Sequence, residues 1–418
     1  MESKHQILER VNPIFNTAKM SLFQLAEIGY KDAITISDKL KLTFEQTQKS
    51  TSFEGQPEEH LIATMMMETR YRTIESMIEK TEYNTIIDLP CGYTPRGINI
   101  SFKGKKYFGL DLPATIDEFS PVIKPLIPED KKCLVNYYGI DATNYASLEA
   151  ALKNINEPVC IATEGLLMYF TESEINTLCD NIFKILKKNG GCWITADIES
   201  AFQYIMTAQS FYKDNFMEVM KKKSAKVAKK ADVEIGKNSL IISPDKNAQE
   251  NIKKAMMFLA KHGLKAERLN IADYMPEEIN SFSKISKEQA EELKLKLKNC
   301  AYWKITIIDN NKAGNDNFDF NKFDIKSEID EEKLKLNITG RIDTLTAPHI
   351  LELFEKIKSE KNIKATEINC ENLEYISSAG LRVFKIMQNE SKEGLTLLNV
   401  NSKVLEILKQ SKFDEFIK

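Results

Sequence analysis

Between Thr85 and Ile308 the chain alternates short apolar runs with longer amphipathic ones, and this alternation restricts its fold more than any other feature. The apolar runs are Thr85-Ile-Ile-Asp-Leu89, Lys106-Tyr-Phe-Gly-Leu110, Cys133-Leu-Val135, Pro158-Val-Cys-Ile-Ala162, Cys192-Trp-Ile-Thr-Ala196, Lys265–Ile271 and Tyr302–Ile308. Most are of strand length and rich in β-branched or aromatic residues. Segments of helical length separate most of them, for example Glu172–Lys188 and Ala248–His262. Strands separated by helices cannot pair as simple hairpins. They predict an α/β fold with a doubly wound, mostly parallel sheet of about seven strands, the last two close enough for an antiparallel ending.

A second boundary follows this pattern. The polar, Asn-rich stretch from Asp309 to Asn321 favours solvation over burial and reads as a linker. The expected organisation is an N-terminal helical segment (1–60), an α/β domain (61–308), a linker (309–322) and a C-terminal domain (323–418). Within Glu59–Lys80, Leu61, Met65, Ile74 and Met77 recur at helical spacing, interrupted by Arg70 and Arg72. Charge is nearly balanced, at net −3, which argues against a dedicated nucleic-acid binder. No apolar run approaches the roughly 18 residues that span a bilayer. The seven cysteines are odd in number and never spaced Cys-x-x-Cys, and the four histidines show no metal-ligand spacing. No disulfide framework, metal or membrane partner is expected, and a reducing cytoplasm fits best. The cluster Lys221, Lys222, Lys223, Lys226, Lys229 and Lys230 reads as a solvated helix face or, more sharply, as a lid that attracts an anionic substrate.

In an open α/β sheet, ligands bind beyond the carboxyl ends of the strands. The first strong strand here runs into Asp88-Leu-Pro-Cys-Gly-Tyr-Thr-Pro-Arg96, and the next ends at Gly109-Leu-Asp111. An acid at the tip of the second strand, Asp111, can accept two hydrogen bonds from a ribose diol. That geometry serves nicotinamide dinucleotides and S-adenosylmethionine alike. A dinucleotide also needs a glycine-rich loop whose N–H groups cradle a pyrophosphate. This loop has one glycine, Gly92, and two prolines, Pro90 and Pro95, which offer no N–H. The loop therefore favours S-adenosylmethionine over a nicotinamide cofactor.

Four motifs occur in order: Glu68-Thr-Arg-Tyr-Arg-Thr-Ile-Glu75, Leu89-Pro-Cys-Gly-Tyr-Thr-Pro-Arg96, Phe108-Gly-Leu-Asp-Leu-Pro113 and Ala162-Thr-Glu-Gly-Leu-Leu-Met-Tyr-Phe170. Together they resemble the leucine carboxyl methyltransferase-like enzymes, which include carboxyl O-methyltransferases of polyketide biosynthesis, over roughly residues 60–308. The resemblance implies a class I methyltransferase-type sheet and S-adenosyl-L-methionine as cofactor. It implies that Arg70, or alternatively Arg72, pairs with the methionine carboxylate, that Gly92 lines the methionine moiety and that Asp111 holds the ribose. By the same resemblance Asp141 accepts from the adenine amino group, while Glu164 and Tyr169 sit beside the sulfonium. Two positions depart from the family pattern: Pro90 replaces the first loop glycine, and Thr94 replaces an acidic residue.

The C-terminal part alternates at period two over Lys333-Leu-Lys-Leu-Asn-Ile338, as a half-buried strand does. Thr346-Ala-Pro348 opens a helix with apolar positions at Ile350, Leu353, Phe354 and Ile357. A strand at Ala365–Cys370, a helix from about 379 to 390, a strand at Leu395–Val400 and a helix from Lys403 complete a small α/β unit. The pieces Ile338-Thr-Gly-Arg-Ile-Asp343, Thr346-Ala-Pro348 and Tyr375-Ile-Ser-Ser-Ala-Gly-Leu-Arg382 resemble the STAS domain of anti-sigma factor antagonists. That family carries a serine at the start of its second helix that a partner kinase phosphorylates. Ser378 is the matching position, although Ser377 and Ala379 depart from the flanking pattern. The alternative physical role is a helix cap.

A carboxylate acceptor is already ionised at neutral pH and needs alignment rather than a base, which suits a histidine-poor chain. The expectation is an S-adenosylmethionine-dependent O-methyltransferase, carboxyl-directed, whose acceptor is a small molecule or a protein carboxylate. Its C-terminal STAS module would bind a kinase or other protein partner. The rival is a non-enzymatic signalling protein whose N-terminal domain is a degenerate cofactor sensor.

Overall fold

The central apolar runs form strands buried on both faces, as a sheet covered by helices on each side requires. A computed structural model describes residues 15–43, 57–219, 238–243, 247–308, 323–342, 346–376, 378–410 and 413–417. The chain divides into two compact units, Met1–Ile308 and Asp309–Lys418. The linker at 309–322 and the lysine cluster at 221–230 lie outside the described residues.

In the first unit, α1 (Phe15–Glu27), α2 (Lys31–Lys39) and α3 (Pro57–Lys80) precede β1 (Thr85–Asp88) and α4 (Arg96–Phe102). There follow β2 (Lys106–Asp111), α5 (Pro113–Ile123), β3 (Val135–Gly139), α6 (Tyr145–Leu152), β4 (Val159–Thr163) and α7 (Glu172–Asn189). The unit ends with β5 (Gly191–Thr195), α8 (Ser200–Tyr212), α9 (Ala248–Lys261), β6 (Leu264–Asn270), α10 (Lys287–Leu297) and β7 (Ala301–Ile307). Among the described residues, seven strands form one sheet in the order β3-β2-β1-β4-β5-β7-β6. The first five are parallel, and β7 runs antiparallel to both β5 and β6.

Local chemistry sets the helix ends. Thr171 and Glu174 form a reciprocal capping box that starts α7, Lys187 and Lys188 occupy its last turn, and Gly190 follows. Ser286 and Gln289 do the same for α10. The 60/61 boundary falls inside α3, and Leu22, Leu25, Ala33 and Ile36 of the first two helices share one core with Met65, Ile74 and Ile86. The N-terminal helices therefore belong to the same packed unit as the sheet. The third strand also lies later than its apolar run suggested. Glu129–Leu134 is a 3-10 turn, Cys133 is exposed, and the strand begins at Val135. Its buried residues are Val135 and Tyr137, and Asn136 beside the tyrosines disguises the period.

The second unit contains β8 (Asp324–Asp330), β9 (Lys333–Ile342), α11 (Ala347–Glu360), β10 (Ala365–Asn369), β11 (Leu373–Ile376), α12 (Ser378–Glu390), β12 (Leu395–Leu398) and α13 (Ser402–Gln410). The order is β11-β9-β10-β12, with β8 antiparallel to β9. The long β9 carries β8 along Lys333–Thr339 and β11 along Gly340–Ile342. Leu334, Leu336 and Ile338 alternate into the core, which they share with Phe354, Phe384 and Leu397. The sequence pattern did not announce β8, because most of its residues are exposed and no apolar face marks it. Gly380 lets α12 approach the sheet: a Cβ there would stand 2.5 Å from Ile342 and 2.7 Å from Ile376.

Gly191 is the tightest steric point of the main sheet. Its φ is +111°, and a Cβ there would stand 1.9 Å from the Val159 carbonyl oxygen. Gly191→Ala is expected to destabilise the first unit by about 2–4 kcal/mol through backbone strain and overpacking. The chain's two tryptophans, Trp193 and Trp303, are both buried in this sheet, so their emission during urea unfolding reads that unit alone. An unchanged midpoint would contradict the packing described.

Candidate active site

The parallel strands of the first unit end along one edge, in the order β3, β2, β1, β4, β5. Strand order reverses between β1 and β4, the switch point at which open α/β sheets bind ligands. Asp141 follows β3, Asp111 ends β2, Gly92 lies in the loop after β1, Glu164 follows β4, and Asp197 follows β5. At about 4.8 Å per strand spacing, β3 to β4 spans about 14 Å. A hollow of ≈ 380 Å³ opens along this edge, within the size range of small-molecule sites.

Arg70, Gly92, Asp111, Asp141, Glu164 and Tyr169 all line it. Arg72 does not: its guanidinium lies 5.9 Å from the Tyr30 ring and 3.7 Å from Glu75. Two residues along a helix rotate a side chain by about 200°, so only one of the two arginines can face the hollow.

The loop Leu89–Pro95 directs its backbone inward. The N–H groups of Leu89, Cys91 and Thr94 donate to the carbonyls of Ala162, Leu110 and Cys91, and that of Gly92 donates to Asp111. With Pro90 and Pro95 lacking N–H groups, the loop holds no phosphate cradle. Gly92 adopts φ +53° and sits close under α1, where its absent Cβ would stand 3.7 Å from that of Ala18.

Asp111 accepts from Gly92 N at 2.8 Å and Leu112 N at 2.7 Å, one on each carboxylate oxygen. Burial pushes its carboxyl up to about 6, with those two N–H groups and the Thr115 hydroxyl pulling the other way. The Thr115 hydroxyl is a third donor to this carboxylate, whose two oxygens have capacity for one more. Asp141 is more exposed and accepts through one oxygen, Oδ1, from Thr143 N and Oγ1. Tyr169 OH donates to Thr17 Oγ1 at 3.1 Å, joining the β4 loop to α1, whose Thr17, Ala18 and Ser21 wall the hollow. Lys19 anchors α1 to Glu118 at 2.9 Å, and Tyr93 OH donates to the same carboxylate.

Beneath the hollow runs a chain of buried charges. Tyr107 OH donates to Asp88 at 2.6 Å, and Arg96 Nη1 donates to both Asp88 oxygens at 3.1 Å. Arg96 Nη2 donates to Glu164 Oε2 at 2.6 Å, and Arg70 Nε donates to Glu164 Oε1 at 2.9 Å. Burial would raise the Glu164 pKa, but the guanidiniums of Arg96 and Arg70 outweigh it and hold the carboxyl below its ordinary value. Burial raises that of Asp88 despite Arg96. Asp197 completes the floor by accepting from the N–H groups of Gly165, Leu166 and Leu167, which fixes the loop that carries Glu164.

Asp88, Arg96 and Asp197 were not among the residues expected at the site. Asp88 and Arg96 did leave a signal: they are the only charges between Thr85 and Phe102. Opposite charges isolated in apolar sequence imply a buried pair.

Among known families, residues 324–418 match the STAS domain. No curated protein matches the chain. Similar solved structures include the anti-sigma factor antagonist SpoIIAA in its unphosphorylated form, 17% identical, covering 23% of this chain and 85% of that one, with a TM-score of 0.22. A duf574 family protein from Streptomyces avermitilis is 10% identical over 70% of this chain and 99% of its own, with a TM-score of 0.37. An O-methyltransferase family protein from Burkholderia thailandensis is 12% identical over 73% of this chain and 70% of its own, with a TM-score of 0.33.

Removing one partner of a buried ion pair leaves the other charge uncompensated, at a cost of about 3–5 kcal/mol. Asp88→Ala is expected to lower the stability of the first unit by that amount, read from tryptophan emission in urea. A loss below about 1 kcal/mol, the size typical of an exposed pair, would contradict the buried network. The C-terminal unit, by its match over 324–418, is a STAS domain.

Proposed function

We propose that the N-terminal unit is an S-adenosylmethionine-dependent O-methyltransferase directed at a carboxylate, joined through 309–322 to a STAS domain that binds a protein partner. The observation that carries the reading is the shared hollow. Asp111 and Asp141 stand beyond β2 and β3, and Arg70 stands beside Glu164 beyond β4, with Gly92 between them. This order suits an elongated nucleoside with an amino-acid tail. Asp111 would take the ribose hydroxyls, the free Oδ2 of Asp141 the adenine amino group, and the terminal amino groups of Arg70 the tail carboxylate. Arg70 forms its side-chain hydrogen bond through Nε, which leaves those terminal groups for a ligand.

Charge points the same way. Arg70 and Arg96 stand against Asp111, Asp141, Glu164 and Glu174 in the lining, an acidic excess that welcomes a cation and repels a pyrophosphate. When bound, S-adenosylmethionine supplies an electrophilic methyl group on its sulfonium for in-line displacement. The protein's own part is alignment and exclusion of water, with Tyr169 and α1 closing over the hollow. The described lining contains neither histidine nor lysine, and Glu164 is held by two guanidiniums. With Asp111 given to the ribose and Glu164 to the two guanidiniums, the arrangement favours an acceptor that arrives already ionised, a small-molecule or protein carboxylate.

Binding is expected to depend on pH through Asp111. Its carboxyl titrates near about 6 in the free protein, and hydroxyl donors favour the ionised form. Binding therefore lowers that pKa and releases protons around and below pH 6, so affinity falls as the pH drops through 6. Calorimetry with S-adenosylhomocysteine, in two buffers of different ionisation enthalpy, measures the release. Asp111→Asn should remove it and weaken binding by about tenfold or more, the value of a hydrogen bond to a charged group. Proton uptake, or release that survives Asp111→Asn, would contradict the assignment.

In the STAS domain, Ser378 opens α12, where the helix dipole favours an anion. A phosphate there would add about two negative charges to a docking surface and switch partner binding. Intact-mass analysis after incubation with ATP and cell extract is expected to find one phosphate on the wild-type chain and none on Ser378→Ala. Phosphate retained by Ser378→Ala, or absent from both, would remove the switch.

A further inference from the structure

Arg96 is fully buried at the start of α4, yet it borders the hollow. Its Nη1 is held by Asp88, while Nη2 donates to Glu164 and, at 3.4 Å, to the Tyr71 carbonyl. The guanidinium carbon lies 4.7 Å from the Tyr71 ring centroid. Both terminal nitrogens thus already have protein acceptors and only the buried Nε has none, so Arg96 has no terminal group left to grip a ligand. Arg70, one carboxylate further along the chain, has its terminal groups available.

A carboxylate held by a single Nε contact can swivel about its last bond. Glu164 cannot, because Arg96 takes one oxygen at 2.6 Å while Arg70 takes the other at 2.9 Å. Glu164 in turn fixes the plane of the Arg70 guanidinium. Asp88 compensates the charge of Arg96, so the Asp88–Arg96–Glu164–Arg70 chain is neutral overall, with two acids and two bases. Buried ion pairs are poor sources of stability, since well-packed apolar residues often serve as well. A chain this deep that ends at the hollow calls for a role in orientation.

We propose that Arg96 is a positioning residue that aims Arg70, through Glu164, at the carboxylate of the ligand's amino-acid tail. The proposal rests on the cofactor reading above and adds that the aim of Arg70 is set from beneath the pocket. Its effect is confined to ligands that carry the tail carboxylate.

The test compares two ligands on the full chain by calorimetry: S-adenosylhomocysteine, which has the tail, and 5′-methylthioadenosine, which has the same nucleoside without it. Two variants are used. Arg96→Lys keeps the charge but loses the forked geometry, and the double variant Asp88→Asn with Arg96→Gln removes the buried pair symmetrically, so neither charge is stranded. Tryptophan emission identifies the folded variants. Each is expected to bind S-adenosylhomocysteine about tenfold more weakly, the scale of a lost charge-assisted contact, with affinity for 5′-methylthioadenosine held within about twofold. Equal weakening for both ligands would mean that Arg96 only supports the pocket, and unchanged affinity for both would mean that Arg70 is aimed without it; either result overturns the proposal. A wild-type chain that binds neither nucleoside would overturn the cofactor reading and this role with it.

Discussion

The first unit depends on how four charges are satisfied, Asp88 and Arg96 fully buried and Glu164 and Arg70 largely so at the floor of the hollow. Asp88 at the end of β1, Arg96 at the start of α4, Glu164 after β4 and Arg70 in α3 form one alternating chain. Any one of these charges alone in that interior would cost several kcal/mol. Together they are compensated, and the requirement that all four meet fixes α3, β1, α4 and β4 relative to one another. Packing and electrostatics then give the same arrangement: α3 lies where the apolar core needs it and where Arg70 can reach Glu164.

The sheet supplies the geometry that the charges use. Parallel strands share a carboxyl edge, so residues far apart in sequence come within a few strand spacings of one another. Asp141, Asp111, Gly92 and Glu164 reach one hollow because β3, β2, β1 and β4 are neighbours in that order. The loop after β1 turns its N–H groups into the fold, toward Ala162, Leu110 and Asp111. Such a loop can lie close to a nucleoside and has little to offer a pyrophosphate. In the second unit the same logic runs on a smaller scale, with β9 at the centre and Gly380 letting α12 close on it.

What could be read from the sequence follows from the same physics. The alternation of strand and helix runs revealed the sheet, and once the strands were parallel, their tips had to share an edge. That is why Asp111 and Gly92 were recognisable from the strand ends alone. The choice between Arg70 and Arg72 was not, because it depends on which helix face meets β4. Nor was the link from Arg96 to Glu164, which are 68 residues apart and meet only in the folded chain. Asp197 was hidden for a similar reason: its three hydrogen bonds run to backbone N–H groups about 30 residues earlier. The strand β8 escaped because exposure on both faces erases the period that marks a strand.

The central claim is that one hollow at this edge holds a nucleoside with an amino-acid tail in a single orientation. A crystal structure of the chain with S-adenosylhomocysteine tests it most directly. Ribose hydroxyls are expected within hydrogen-bond reach of Asp111, the adenine beside Asp141 and the tail carboxylate on Arg70. A ligand bound elsewhere, or bound in the reverse sense with its carboxylate beyond β3, would contradict it.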